Sequence, residues 1–171
     1  MKRVCQCCIL LILMFSAAAW ASMPMNAETV QGKPVSYLFT QTAKSAHIMP
    51  IDKKPNLYQL TLFDVGSDTI WFTDRPARKA GVLKTSKFVS HWNNKVNDFA
   101  DINPNASFVY TLSGKSDQEV MVLRLAYPTY NAKKHTLSYQ AEDISNKKVI
   151  SMRLNTVAVF IDALCFGGIN C

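Results

Sequence analysis

The sequence predicts a mainly β protein: a β-sandwich of about seven strands with one inserted amphipathic helix. Three observations lead there. Short β-branched and aromatic runs recur roughly every ten residues, separated by Gly, Pro, Asn and Asp turn signals. A single window carries apolar residues at helical spacing. The chain has 171 residues, 49% of them hydrophobic and 18% charged. That length suits one domain, and the composition excludes a disordered, collagen-like or coiled-coil chain.

The elements follow in order. Residues 1–21 read as a signal peptide, with Lys2 and Arg3 ahead of an apolar run and Ala19-Trp20-Ala21 as a small-x-small cleavage site. Residues 22–35 are polar, contain two prolines and one glycine, and read as a flexible lead-in. Residues 36–162 form the predicted domain. Ser36–Gln41 is its first strand. Leu57–Phe63 alternates cleanly, Val65–Asp68 turns, and Thr69–Thr73 returns as the partner of a hairpin. Asp74-Arg75-Pro76-Ala77-Arg78 breaks that strand.

Thr85 or Ser86 then caps a helix over about 86–100. Phe88, Trp92, Val96 and Phe99 form its apolar stripe, which makes Trp92 a structural residue. Further strands are expected at Ser107–Leu112, Glu119–Tyr127, Thr136–Ala141 and Thr156–Ile161, with Tyr127–Asn131 as a turn. Residues 163–171 form a tail in which Cys165 and Cys171 pair in an oxidising compartment. Cys5, Cys7 and Cys8 leave with the signal peptide. No segment of the mature chain is apolar and long enough to span a bilayer.

The chain carries 19 Lys and Arg against 12 Asp and Glu. The densest positive charge is Arg75, Arg78, Lys79, Lys84 and Lys87, with Asp74 as the lone acid among them. This run leads into the helix start. Backbone N–H groups, the helix dipole and guanidinium forks there suit a phosphate, sulfate or carboxylate. The structural alternative makes Asp74 the ion-pair partner of Arg75 or Arg78 and Pro76 a stiffener of the corner.

Other chemistry finds little support. His47, His91 and His135 lie 44 residues apart and lack a nearby second ligand, so no metal site is expected. Ser113-Gly114-Lys115-Ser116 sits in a hairpin turn and lacks the upstream glycine of a phosphate loop. There is no G-x-S-x-G, no cofactor motif, no nucleic-acid module and no catalytic residue to name.

Several blocks occur together in order. They are Ser36–Ser45, Tyr58–Leu62, Trp71-Phe72-Thr73-Asp74-Arg75-Pro76-Ala77-Arg78, Phe88–Trp92 and Asn103–Ala106. This pattern resembles an uncharacterised family of small exported bacterial proteins with an F-[ST]-D-R-P-x-R motif, some of them similar to Legionella type II secretion substrates. The resemblance implies a secreted, host-facing single domain that meets the secretion machinery in the periplasm. It assigns no role to Asp74, Arg75, Pro76 or Arg78. The expected function is therefore a secreted, non-enzymatic module that binds an anionic lipid headgroup or glycan through Arg75, Arg78, Lys79, Lys84 and Lys87. The competing expectations are a hydrolase using Asp74, His91 and His135, and a structural or assembly protein.

Overall fold

The computed structural model describes residues 29–30, 33–51, 54–93, 99, 102–145 and 151–163. The chain is mainly β, as expected, with a single helix among those residues. A two-residue ladder of β1 (Thr29–Val30) and β2 (Lys33–Pro34) lies within the stretch expected as a loose lead-in. The main sheet contains β3 (Tyr37–Pro50), β4 (Leu57–Phe63), β5 (Asp68–Thr73) and β6 (Ala80–Lys84). After α1 (Thr85–Asn93) it continues with β7 (Asn105–Leu112), β8 (Gln118–Asn131), β9 (Thr136–Asp143) and β10 (Met152–Ala163).

The expected sandwich is corrected to a closed barrel. The order β10-β7-β8-β9-β4-β3 is antiparallel throughout and closes where β10 pairs with β3 along almost its whole length. The reason lies in strand length. β3 and β8 each run 14 residues and β10 runs 12. Strands that long must bend, and bulges supply the bend. Tyr127 (φ 50°) sits where the β8–β9 register shifts by one residue, and Thr156 (φ 47°) does the same between β10 and β7. Tyr127–Asn131, expected as a turn, is therefore the second half of β8. The reversal comes after it, where the Lys134 N–H donates to Asn131 Oδ1.

β3 also has two partners along one edge. Its C-terminal half pairs with β4, and Tyr37–Thr40 pairs with β5. The β5–β6 hairpin therefore leaves the barrel as a two-strand extension, with β6 at the end of the sheet order.

Alternation explains the core. Inward positions carry Phe39, Ile48, Leu60, Leu62, Phe108, Leu123, Leu125, Leu137 and Val159, all fully buried. The helix adds Phe88 and Trp92 to this cluster. Phe88 lies 5.0 Å from Phe39, Trp92 lies 5.7 Å from Tyr139, and Phe99 lies 4.3 Å from Trp92, by ring centroids. The expected stripe of Phe88, Trp92 and Phe99 is thus in place. The described helix is Thr85–Asn93, and Val96 and the rest of the expected helical span, Phe99 aside, lie outside the described residues. So do the signal peptide and the Cys165 and Cys171 pair.

Candidate functional site

The basic run does not form one loop. Ala80–Lys84 is β6, an edge strand that pairs Ile70 with Val82 and Phe72 with Ala80. The strand divides the run in two. Arg75, Arg78 and Lys79 sit in the β5–β6 turn. Lys84 ends β6 and Lys87 lies beyond it on α1, about 15 Å along the strand from the turn. Lys84 also has a partner of its own, since its Nζ lies 2.7 Å from Asp68 Oδ1.

The turn is built from its own polar atoms. The Thr73 N–H donates to the Lys79 carbonyl at 2.8 Å, and the Lys79 N–H donates to Thr73 Oγ1 at 2.8 Å. Those two bonds close its base. Above them the Arg78 N–H donates to the Asp74 carbonyl at 3.1 Å, and the Arg75 N–H donates to Asp74 Oδ1 at 2.6 Å. The Arg75–Pro76 peptide is cis, and Arg78 takes φ 49°. Ala77 packs against the core. Asp74, Arg75, Pro76, Arg78 and Lys79 are exposed.

A buried ion-pair corner is therefore not what forms here. Asp74 caps the backbone of its own turn. Among the described residues no carboxylate pairs with the guanidinium of Arg75 or Arg78. Two exposed guanidiniums on a turn closed by backbone bonds are positioned to meet an anion without first breaking a protein contact.

The helix start is occupied by the protein. The Thr85 N–H donates to the Ser67 carbonyl at 2.9 Å, and Thr85 Oγ1 donates to the Gly66 carbonyl at 3.0 Å. Thr85 is fully buried, so it anchors the helix inward rather than presenting an anion cradle. Lys87 is exposed on the helix.

Thr85 also ends a buried polar chain absent from the sequence reading. The Tyr139 hydroxyl donates to Gln41 Oε1 at 2.7 Å, and Gln41 Nε2 donates to Thr69 Oγ1 at 3.2 Å. Thr69 Oγ1 and Thr85 Oγ1 lie 3.2 Å apart. Because Thr85 gives its proton to Gly66, Thr69 is the donor of that pair. The chain ties the barrel wall (β3 and β9) to β5 and α1. Burial pushes the Tyr139 phenol far above the ordinary tyrosine range. Inward parity of Gln41 beside Tyr37 and Phe39 was the sequence signal for it.

A second buried contact fixes the hairpin. A Cβ built on Gly81 would lie 2.6 Å from Trp71 Cζ2. Glycine is required at this position so that the indole can lie over β6.

The hydrolase candidates are not brought together. Asp74 caps the turn at one end of β5. His135 lies near the other end, where its carbonyl accepts from the Val65 N–H at 3.0 Å. His91 is on α1. Among the described residues no group of three or more His, Cys, Asp or Glu converges on a metal position. No helix there is long and apolar enough to cross a membrane.

The chain matches no family model, no curated protein and no solved structure.

Proposed function

We propose that this protein is an exported, non-enzymatic binding module that engages an anionic ligand, either a lipid headgroup or a glycan, through the β5–β6 turn. One observation carries the reading. Arg75 and Arg78 are exposed on a turn closed by its own backbone hydrogen bonds, and among the described residues no carboxylate pairs with them. Lys79 adds charge to the same turn. Lys84 is reduced to a minor role by its pairing with Asp68. Export follows from the leader pattern in residues 1–21, and the resemblance to secreted bacterial proteins points the same way.

The test is retention of the protein, expressed with its leader and purified from the extracytoplasmic fraction, on an immobilised anionic polymer such as heparin. The expected result is salt-sensitive retention that Arg75→Ala/Arg78→Ala weakens while thermal melting stays unchanged. Equal retention of the two proteins sinks the proposal.

A further inference from the structure

The outward face of the same hairpin is apolar. Ile70 and Phe72 on β5 and Val82 on β6 are 53%, 42% and 65% exposed. They are neighbours in register, with Ile70 opposite Val82 and Phe72 opposite Ala80. The row does not stop at the hairpin. Ile70 pairs with Thr40, Thr40 with Phe160, Phe160 with Ser107 and Ser107 with Val122. Leu38, Val109, Val120, Val122 and Phe160 there line a shallow open groove of about 470 Å³. A largely apolar band, interrupted by Thr40 and Ser107, thus crosses six strands on one side of the molecule, with Arg75 and Arg78 at one border and the ion-paired Lys84–Asp68 at the other. The opposite side is polar in its middle, where β4 and β9 turn Gln59, Thr61, Ser138 and Gln140 outward, with Leu57 and the 38% exposed Phe63 at its two ends.

We infer that the anionic ligand is the surface of a phospholipid bilayer. Ile70, Phe72 and Val82 enter the interface while Arg75 and Arg78 sit at headgroup phosphates. This inference rests on the anion-binding reading and narrows it to one class of partner. A free anion or a glycan would use the guanidiniums but leave the adjoining apolar row in water. A bilayer uses both, because the headgroup layer and the acyl boundary lie side by side. One-sidedness makes the contact peripheral. A barrel that spans needs an apolar belt all the way round, and here the middle of the far side carries Gln59, Thr61, Ser138 and Gln140 and the interior is packed with side chains.

Charge argues against a second copy as the occupant. Stacking two such faces with their turns at the same end would bring four guanidiniums together, and stacking them with turns at opposite ends would set each arginine pair against an Asp68 that Lys84 already engages. The carboxylates on the face are already engaged, Asp68 by Lys84, Asp162 by the Ser36 hydroxyl at 3.3 Å, and Asp74 by the Arg75 N–H. The hairpin is also a stiff platform. It is held by the Gln41–Thr69–Thr85 chain and by Trp71 against Gly81, so docking does not require it to order first.

The experiment uses sedimentation with vesicles of phosphatidylcholine containing phosphatidylglycerol, with pure phosphatidylcholine vesicles and heparin as the other arms. Wild type should bind the anionic vesicles and heparin. Ile70→Ser/Phe72→Ser/Val82→Ser should lose vesicle binding about tenfold or more and keep its heparin retention. Arg75→Ala/Arg78→Ala should lose roughly 30-fold on vesicles, at about 1 kcal/mol per basic side chain at an anionic surface, and should also lose heparin. The single exposed change Val82→Trp should be quenched by bromine-labelled acyl chains, over the background of native tryptophans, only when anionic vesicles are present. Val82→Asp alone should reduce vesicle binding, which keeps the test decisive if the triple variant melts early. If the apolar variants bind vesicles like wild type, or Val82→Trp is not quenched, the bilayer inference fails and the anion reading survives. If wild type binds heparin but no vesicles, the outcome is the same. If Arg75→Ala/Arg78→Ala alters neither arm, the anion reading fails. A dimer seen by light scattering and abolished by Val82→Asp, with no vesicle binding, would assign the face to a second copy and overturn the inference.

Discussion

Replacing Gln41 with leucine cuts the buried polar chain in the middle. Gln41 is 1% exposed, and it receives the Tyr139 hydroxyl and donates to Thr69. Leucine of similar size removes both bonds. Thr69 is little affected, because its hydroxyl still donates to Thr85. Tyr139 is different: it is fully buried and loses its acceptor. An unsatisfied buried donor costs about 1–3 kcal/mol, so Gln41→Leu should destabilise by about 2 kcal/mol. Tyr139→Phe leaves Gln41 Oε1 without its donor and should cost a similar amount. The double variant removes both partners at once, and the orphan disappears with them. Its cost should fall well below the sum of the two singles, by about 2 kcal/mol of coupling. Urea unfolding followed by tryptophan fluorescence measures all three on one scale. Singles that cost under about 0.5 kcal/mol, or a double that is simply additive, would refute the argument that this chain is closed and desolvated.

Other outcomes follow from the same geometry. Arg75→Ala/Arg78→Ala should leave stability within about 0.5 kcal/mol, because both side chains are exposed and neither is ion-paired among the described residues; a large fall in melting temperature would make the turn structural. Gly81→Ala places a methyl against the half-buried Trp71 ring and should cost about 1–3 kcal/mol with a shift in tryptophan emission, which an unchanged spectrum would contradict. Trp92→Ala empties the contact between α1, Phe99 and Tyr139 and should cost about 3–5 kcal/mol in the same urea assay. Burial first, and then the hydrogen bond to Glu119, push the Tyr110 phenol up to about 12. The folded state therefore favours the neutral phenol. Its stabilising contribution is present below the unfolded tyrosine value near pH ~10 and is lost as pH rises from there towards about 12. Tyr110→Phe should remove one late step from the absorbance titration and lessen the alkaline loss of stability relative to wild type.

Much of the local structure was legible because alternation and turn chemistry act over a few residues. Leu57–Phe63 is the strand its period-two pattern announced. Phe88 and Trp92 are the buried face of a helix that starts at Thr85. β6 was not legible. Five residues containing Gly81 and ending in Lys84 look like a basic loop until β5 supplies the partner that makes them a strand. Tyr127-Pro128 looks like a turn because a bulge uses the same backbone conformation that a turn does.

Sequence alone determined the β class, the buried helix stripe and the turn that carries Arg75 and Arg78, since each depends on residues close in the chain. Tertiary structure decided the rest. Closure into a barrel depends on β3 pairing with β10, over a hundred residues apart at every pair, and no local pattern encodes which edge meets which. The closed barrel also brings Gln41 to Tyr139. Pairing of β5 with β6 divides the basic run and aligns Ile70, Phe72 and Val82 beside the two arginines, because a sheet places residues side by side only after its register is set.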